Sequence, residues 1–210
     1  MTTNDHFKVS ASIISCLALL TLQQSGPNLY AGVSFEGGIS LVEDSTLHDD
    51  AATKVSFDSG LRLDLRIGGT FTNGLGLDID LGLIYNQMKV NPLNTESGTL
   101  DFYQIPMMLE VTYTFPGLGP FRVYVGGGIG AVYGLFTGSG TGLFGFDSDL
   151  TFGYQATAGL KYALSEHWEI GVVYRFLGTT EHELDSGFGS AVKMDGTLTH
   201  ALMATISLKF

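Results

Sequence analysis

Residues 75–86 read Leu-Gly-Leu-Asp-Ile-Asp-Leu-Gly-Leu-Ile-Tyr-Asn. Leu75, Leu77, Ile79, Leu81, Leu83 and Tyr85 take every second position, with Asp78, Asp80, Gly82 and Asn86 between them. Successive side chains of a strand point to opposite faces, so this spacing makes one apolar and one polar face.

Seven further segments repeat the pattern. Residues 29–41 set Ala31, Val33, Phe35 and Ile39 against Ser34, Glu36 and Ser40. Residues 61–68 set Leu61, Leu63 and Leu65 against Arg62, Asp64 and Arg66, and residues 103–115 set Ile105, Met107, Leu109 and Val111 against Gln104, Glu110 and Thr112. Residues 121–133 place Val123, Val125 and Ile129 opposite Arg122 and several glycines, and residues 154–162 place Tyr154, Leu160 and Tyr162 opposite Gln155 and Lys161. Residues 168–176 place Trp168, Ile170 and Tyr174 opposite Glu169 and Arg175; residues 198–210 place Leu202, Ile206 and Phe210 opposite Thr199, Thr205 and Lys209. Most segments reach the roughly 9–11 residues a tilted membrane strand needs, beyond the usual five or six of soluble sheets.

The charges decide which face looks where. Arg62, Arg66, Arg122, Lys161, Arg175 and Lys209 all fall on the polar face, as do Glu36, Asp64, Asp78, Asp80, Glu110 and Glu169. His200 is the one ionisable side chain on the apolar face. An eight-stranded barrel has little more interior than its own side chains fill. The apolar faces carry bulky Phe, Tyr, Trp and Leu, and the polar faces are rich in glycine and small residues. Small and polar inside, large and apolar outside, is the pattern of a membrane barrel. Six opposite charges against six let each enclosed ion find a partner, which an enclosed charge requires; glycines beside the arginines leave open a narrow or gated aqueous path. The expectation is an all-β chain folded as one eight-stranded antiparallel up-and-down transmembrane β-barrel. Even strand number and closure leave no unpaired edge in lipid.

Connections alternate in length. Thr72-Asn73-Gly74, residues 116–120 (Pro-Gly-Leu-Gly-Pro) and Ser165-Glu166-His167 are short, whereas residues 42–57, 89–99, 137–149 and 178–195 read as long loops. Both chain ends then share the short-turn side, expected in the periplasm, with the long loops extracellular. Phe71, Phe115, Phe121, Trp168 and Phe210 cluster near that boundary and read as an interfacial girdle.

Residues 9–22, VSASIISCLALLTL, follow Lys8 and precede Gln23, Gln24 and Ser25. This is the layout of a secretory signal peptide, too short for a spanning helix. Residues 1–27 are expected to be removed, leaving residues 28–210 as the barrel. Cys16, the single cysteine, goes with the leader, so no disulfide framework is expected. A net charge of −11 argues against a nucleic-acid partner. No apolar run approaches the 20 or so residues of a membrane helix.

The residues 103–109 (Tyr-Gln-Ile-Pro-Met-Met-Leu), followed by residues 120–130 (Pro-Phe-Arg-Val-Tyr-Val-Gly-Gly-Gly-Ile-Gly), resemble the central hairpin of small outer-membrane β-barrels of the OmpA and opacity-protein (porin-like) kind. Residues 153–162 and 168–176 resemble that family's late strands. Ile206-Ser207-Leu208-Lys209-Phe210 resembles its terminal signal, with Phe210 read by the barrel-insertion machinery. The resemblance covers residues 28–210 and implies a Gram-negative outer-membrane location among lipid and lipopolysaccharide. It does not fix a function, because the family is functionally mixed. A cell-wall tether of the OmpA kind is not expected, since no peptidoglycan-binding sequence follows Phe210.

Little in the sequence carries reaction chemistry. Lipid A deacylases of similar size carry a His-x-Ser pair, but here His200 precedes Ala201 and Leu202, and His182 precedes Glu183 and Leu184. Neither offers the hydroxyl-and-base pairing of acyl transfer. His48, beside Asp49 and Asp50, and the acidic residues Glu43, Asp44, Asp58, Glu181, Glu183, Asp185 and Asp195 read as a hydrated surface; their spacing matches no calcium loop. The glycine run at residues 138–142 lacks the strand-to-helix context of a phosphate loop. The expectation is a monomeric, non-enzymatic surface protein without cofactor or metal, with a structural role and limited small-solute permeability. An adhesin or ligand-binding role through the long loops is the alternative, and a lipid-modifying enzyme comes third.

Overall fold

The computed structural model describes residues 29–48, 53–91, 98–137, 146–185 and 191–210. The expected leader, with Cys16, lies outside them, as do Asp49 and Asp50. The described residues form twelve strands: β1 (Leu29–Val42), β2 (Ser45–His48), β3 (Thr53–Phe57), β4 (Gly60–Phe71), β5 (Leu75–Asn91), β6 (Gly98–Thr114), β7 (Phe121–Thr137), β8 (Phe146–Ala163), β9 (Trp168–Thr179), β10 (His182–Asp185), β11 (Ala191–Met194) and β12 (Leu198–Lys209). Eight of them make a closed antiparallel ring in the order β1, β4, β5, β6, β7, β8, β9, β12 and back to β1. The closing seam runs from Gly32 opposite Lys209 to Val42 opposite Thr199. Closure gives the first and last strands the partners a membrane denies an open edge.

Exposure follows the two-residue period. Leu61 and Leu63 are 60% and 59% exposed while Arg62 between them is fully buried. Phe35, Ile79, Leu109, Ile129 and Tyr174 are likewise on the outer wall, and Glu36, Asp80, Glu110 and Arg175 are enclosed. The barrel is therefore inside-out relative to a soluble one. On β5 the apolar band runs from Leu75 to Tyr85, after which Gln87 and Lys89 face outward instead. That is the span a bilayer requires.

The long-loop end holds more strand than the alternation suggests. β2, β3, β10 and β11 occupy parts of residues 42–57 and 178–195, and β5, β6 and β8 extend into the other expected loops. β3 pairs with the top of β5, and β11 pairs with both β10 and β2. Four- and five-residue strands flanked by polar breaks carry too little period-2 signal to stand out alone; their neighbours make them strands. Four staves are thus broken near one height, at residues 43–44, 58–59, 180–181 and 195–197.

The short turns are built as the sequence demands. Gly74 adopts a φ of 90° and returns a hydrogen bond to Phe71 O, closing the Thr72-Asn73-Gly74 hairpin. Within the wall, Pro106 leaves the β5–β6 ladder without a pair at Gly82 and Leu83. A Cβ on Gly82 would stand 2.6 Å from the Pro106 ring, so glycine is what lets that ring pack inward.

Candidate functional site

Enclosed side chains fill the middle of the barrel. Arg175 on β9 reaches Glu36 on β1 at 2.9 Å, Asp64 on β4 at 3.2 Å and Asp80 on β5 at 2.5 Å, with Glu110 on β6 at 3.6 Å. In the ring β9 and β5 stand opposite each other, so the Arg175–Asp80 pair crosses the full diameter. Arg62 on β4 holds Asp64 at 2.9 Å and donates from Nη2 to Gln155 Oε1 on β8, again across the barrel. Gln155 Nε2 in turn donates to Asp80 Oδ2 at 2.9 Å. Arg66 lies 3.4 Å from Glu36 and 3.5 Å from Glu110, and donates to the Tyr124 hydroxyl. Three arginines thus meet four carboxylates, each enclosed charge facing opposite charges from several strands. Such a network costs desolvation at every ion, and that cost is offset only while all partners are present.

The remaining expected lumen residues lie toward the short-turn end. Asp78 accepts from Thr112, and Lys161 donates to Ser34 at 3.3 Å. Glu169 is held by Arg122 at 2.6 Å and also by Lys209. Arg122 departs from the expected enclosed set: its side chain is 46% exposed, at the rim rather than in the network. Position 122 sits one residue into β7, where the wall ends and a long side chain reaches water.

Toward the long-loop end the inward face turns apolar. Ile84, Met108, Val132 and Leu177 form one buried cluster, and Val55, Met88, Phe102, Phe136 and Met194 form another above it. Except for Val55 and Met194, which lie on the short strands β3 and β11, these residues share strand parity with the charged ones, as Tyr124 shares it with Arg122, so the period marks them as inward. The preference for polar residues on that face hides them.

His200 has partners that its neighbours in sequence do not reveal. Its Nδ1 is 2.7 Å from the Tyr174 hydroxyl and its Nε2 is 3.0 Å from Glu43 Oε1, on the outer wall beside Phe176. Tyr174 comes from β9 and Glu43 from the break after β1, 26 and 157 residues away. The imidazole is oriented between hydroxyl and carboxylate, the order a triad uses. The hydroxyl is a phenol, and among the described residues no serine, threonine or cysteine side chain bonds the ring.

A family model described as "outer membrane protein beta-barrel domain" matches residues 9–210. The chain belongs to that family. An uncharacterized outer-membrane protein of Sinorhizobium fredii, y4mB, is 27% identical over 170 residues, covering 77% of this chain and 72% of the relative. Among solved structures, the outer membrane protein OprG from Pseudomonas aeruginosa superposes with a TM-score of 0.63 at 20% identity, covering 88% of this chain and 98% of OprG. The outer membrane protein AlkL in lipid bilayers gives 0.58 at 19%, covering 90% and 93%. At such identities these likenesses establish the fold. The family places the chain in the Gram-negative outer membrane, and the exposed apolar band supplies the physical reason.

Proposed function

We propose that this barrel is a monomeric surface protein, closed to solutes at rest, whose short-turn end and both chain ends face the periplasm and whose long-loop end projects from the cell. The observation that carries the reading is the network crossing the lumen: Arg62 and Arg175 are fully buried and tie opposite walls together. Any limited small-solute permeability then requires that network to part. No enzymatic activity is proposed, and lipid and lipopolysaccharide surround the outer wall.

A ligand-binding role at the cell surface is supported by one observation. β6 and β7 are 17 residues long and β8 is 18, well past the bilayer requirement. The excess builds a projecting crown with its own apolar core, a rigid stand for whatever the loops meet. Planar-bilayer conductance tests the closed lumen. The reading expects silence in the wild type and openings in Arg175→Met; steady conductance in the wild type would overturn it. Acyl-chain release from lipopolysaccharide above detergent background would overturn the non-enzymatic part.

A further inference from the structure

Below the network, a polar cavity of about 530 Å³ opens at the short-turn mouth and is lined by Ser34, Arg66, Tyr124, Lys161 and Ser207, among others. Lys161 is 9% exposed there. Its ammonium donates one hydrogen bond, to Ser34 at 3.3 Å, and stands 5.2 Å from the centre of the Tyr124 ring. Among the described residues no carboxylate comes within 4.0 Å of it; Glu36, Glu169 and Asp78 face it from farther away. An ammonium carries three donors, so two are uncommitted. Arg66 lies over the same Tyr124 ring at 5.1 Å and donates to its hydroxyl, which leaves the phenolic O–H itself free to donate. Ser34 and Ser207, 2.8 Å apart, share one hydroxyl proton between them, and the other remains available. At the rim Arg122 and Lys209 converge on the single carboxylate of Glu169.

Two cations flanking one ring, with three kinds of donor turned toward one small volume, make a receptor for negative charge. An enclosed cation without a close counter-ion is costly, and an oxyanion seated between Lys161 Nζ and the Tyr124 hydroxyl supplies that counter-ion through charge-assisted hydrogen bonds. We propose that the cavity binds a small oxyanion of carboxylate or phosphate class, entering from the short-turn mouth. Asp78 and Glu169 along the path favour a singly charged ligand.

The test is calorimetric titration of the refolded full barrel in micelles with sodium acetate and, separately, sodium phosphate, against sodium chloride at matched ionic strength. Saturable binding at one site is expected for at least one of the two, and the comparison identifies which. Lys161→Gln should weaken it by about tenfold or more, the loss of a hydrogen bond from a charged group. Tyr124→Phe should weaken it several-fold, and Lys89→Gln, at the far end, should leave it unchanged. No saturable binding, or binding in Lys161→Gln and Tyr124→Phe as tight as in the wild type, overturns the proposal. Should Lys161→Gln fail to fold, the ¹⁵N-lysine spectrum of the wild type decides. A Lys161 ammonium signal that moves on titration supports the site, and one that stays fixed removes it.

Discussion

At the level of single residues, depth along the barrel axis decides what the two-residue period leaves open. Arg175 and Arg122 are both inward-parity arginines, yet one sits among four carboxylates with no exposure and the other at the rim beside Glu169. Arg175→Met is expected to destabilise the barrel by about 3–5 kcal/mol, because the carboxylates it leaves are enclosed. Arg122→Met should cost about 1 kcal/mol or less, as solvent-screened pairs do. Urea unfolding in micelles, followed by Trp168 fluorescence, separates the two. On the outer wall, Leu63→Arg is expected to cost roughly 2–4 kcal/mol in a bilayer, the penalty of a cation facing lipid near mid-depth; equal stability of that variant and the wild type in vesicles would contradict the outward assignment. Most of this placement was legible in the sequence, since Leu61, Arg62 and Leu63 disclose their faces by alternation alone. What alternation could not disclose is which inward charge meets which, because Arg175 and Asp80 are 95 residues apart. Nor could it pair His200 with Tyr174 and Glu43, which depends on strand register and on the break after β1.

Among the elements, β1 and β12 carry the closure. Gly38 in β1 lies against β12 so closely that an added Cβ would meet Leu202 O at 2.1 Å and Met203 Cα at 2.6 Å, backbone atoms that cannot step aside. Gly38→Val is therefore expected to prevent seam formation. It should leave the chain with the same mobility on cold gels before and after boiling, where the wild type should migrate differently. Phe210 follows directly on β12 and is 68% exposed, with its N–H bonded to Ala31 O. Few contacts depend on its ring, so Phe210→Ala is expected to slow insertion by the assembly machinery. Its resistance to urea once folded should stay close to that of the wild type. The eight long staves were readable as strands because each carries ten or so alternating residues. β2, β3, β10 and β11 were not, because four or five residues between Asp, Ser and Gly breaks acquire their conformation from the neighbours they pair with.

Taken whole, the molecule is layered along its axis: an open polar cavity, then the ion-paired girder, then an apolar cluster, then a projecting crown built round a second one. The breaks at residues 43–44, 58–59, 180–181 and 195–197 fall between the membrane ring and that crown. Hydrogen exchange is expected to divide at this height, with amides of residues 63–68 and 170–176 protected far longer than those of residues 45–48 and 53–57. Uniform protection along both groups would show the crown and ring to unfold as one unit. The bonds across the lumen also bear on how such a chain can change through descent. An outer-wall leucine answers only to lipid, which accepts Ile, Val or Phe in its place, so the coat is free to drift one substitution at a time. Arg175 answers to four acids on four different strands, and any heir to its position must satisfy them together. The lining can therefore be rewritten only in concerted sets, and divergence between kindred barrels should accumulate on the outside first.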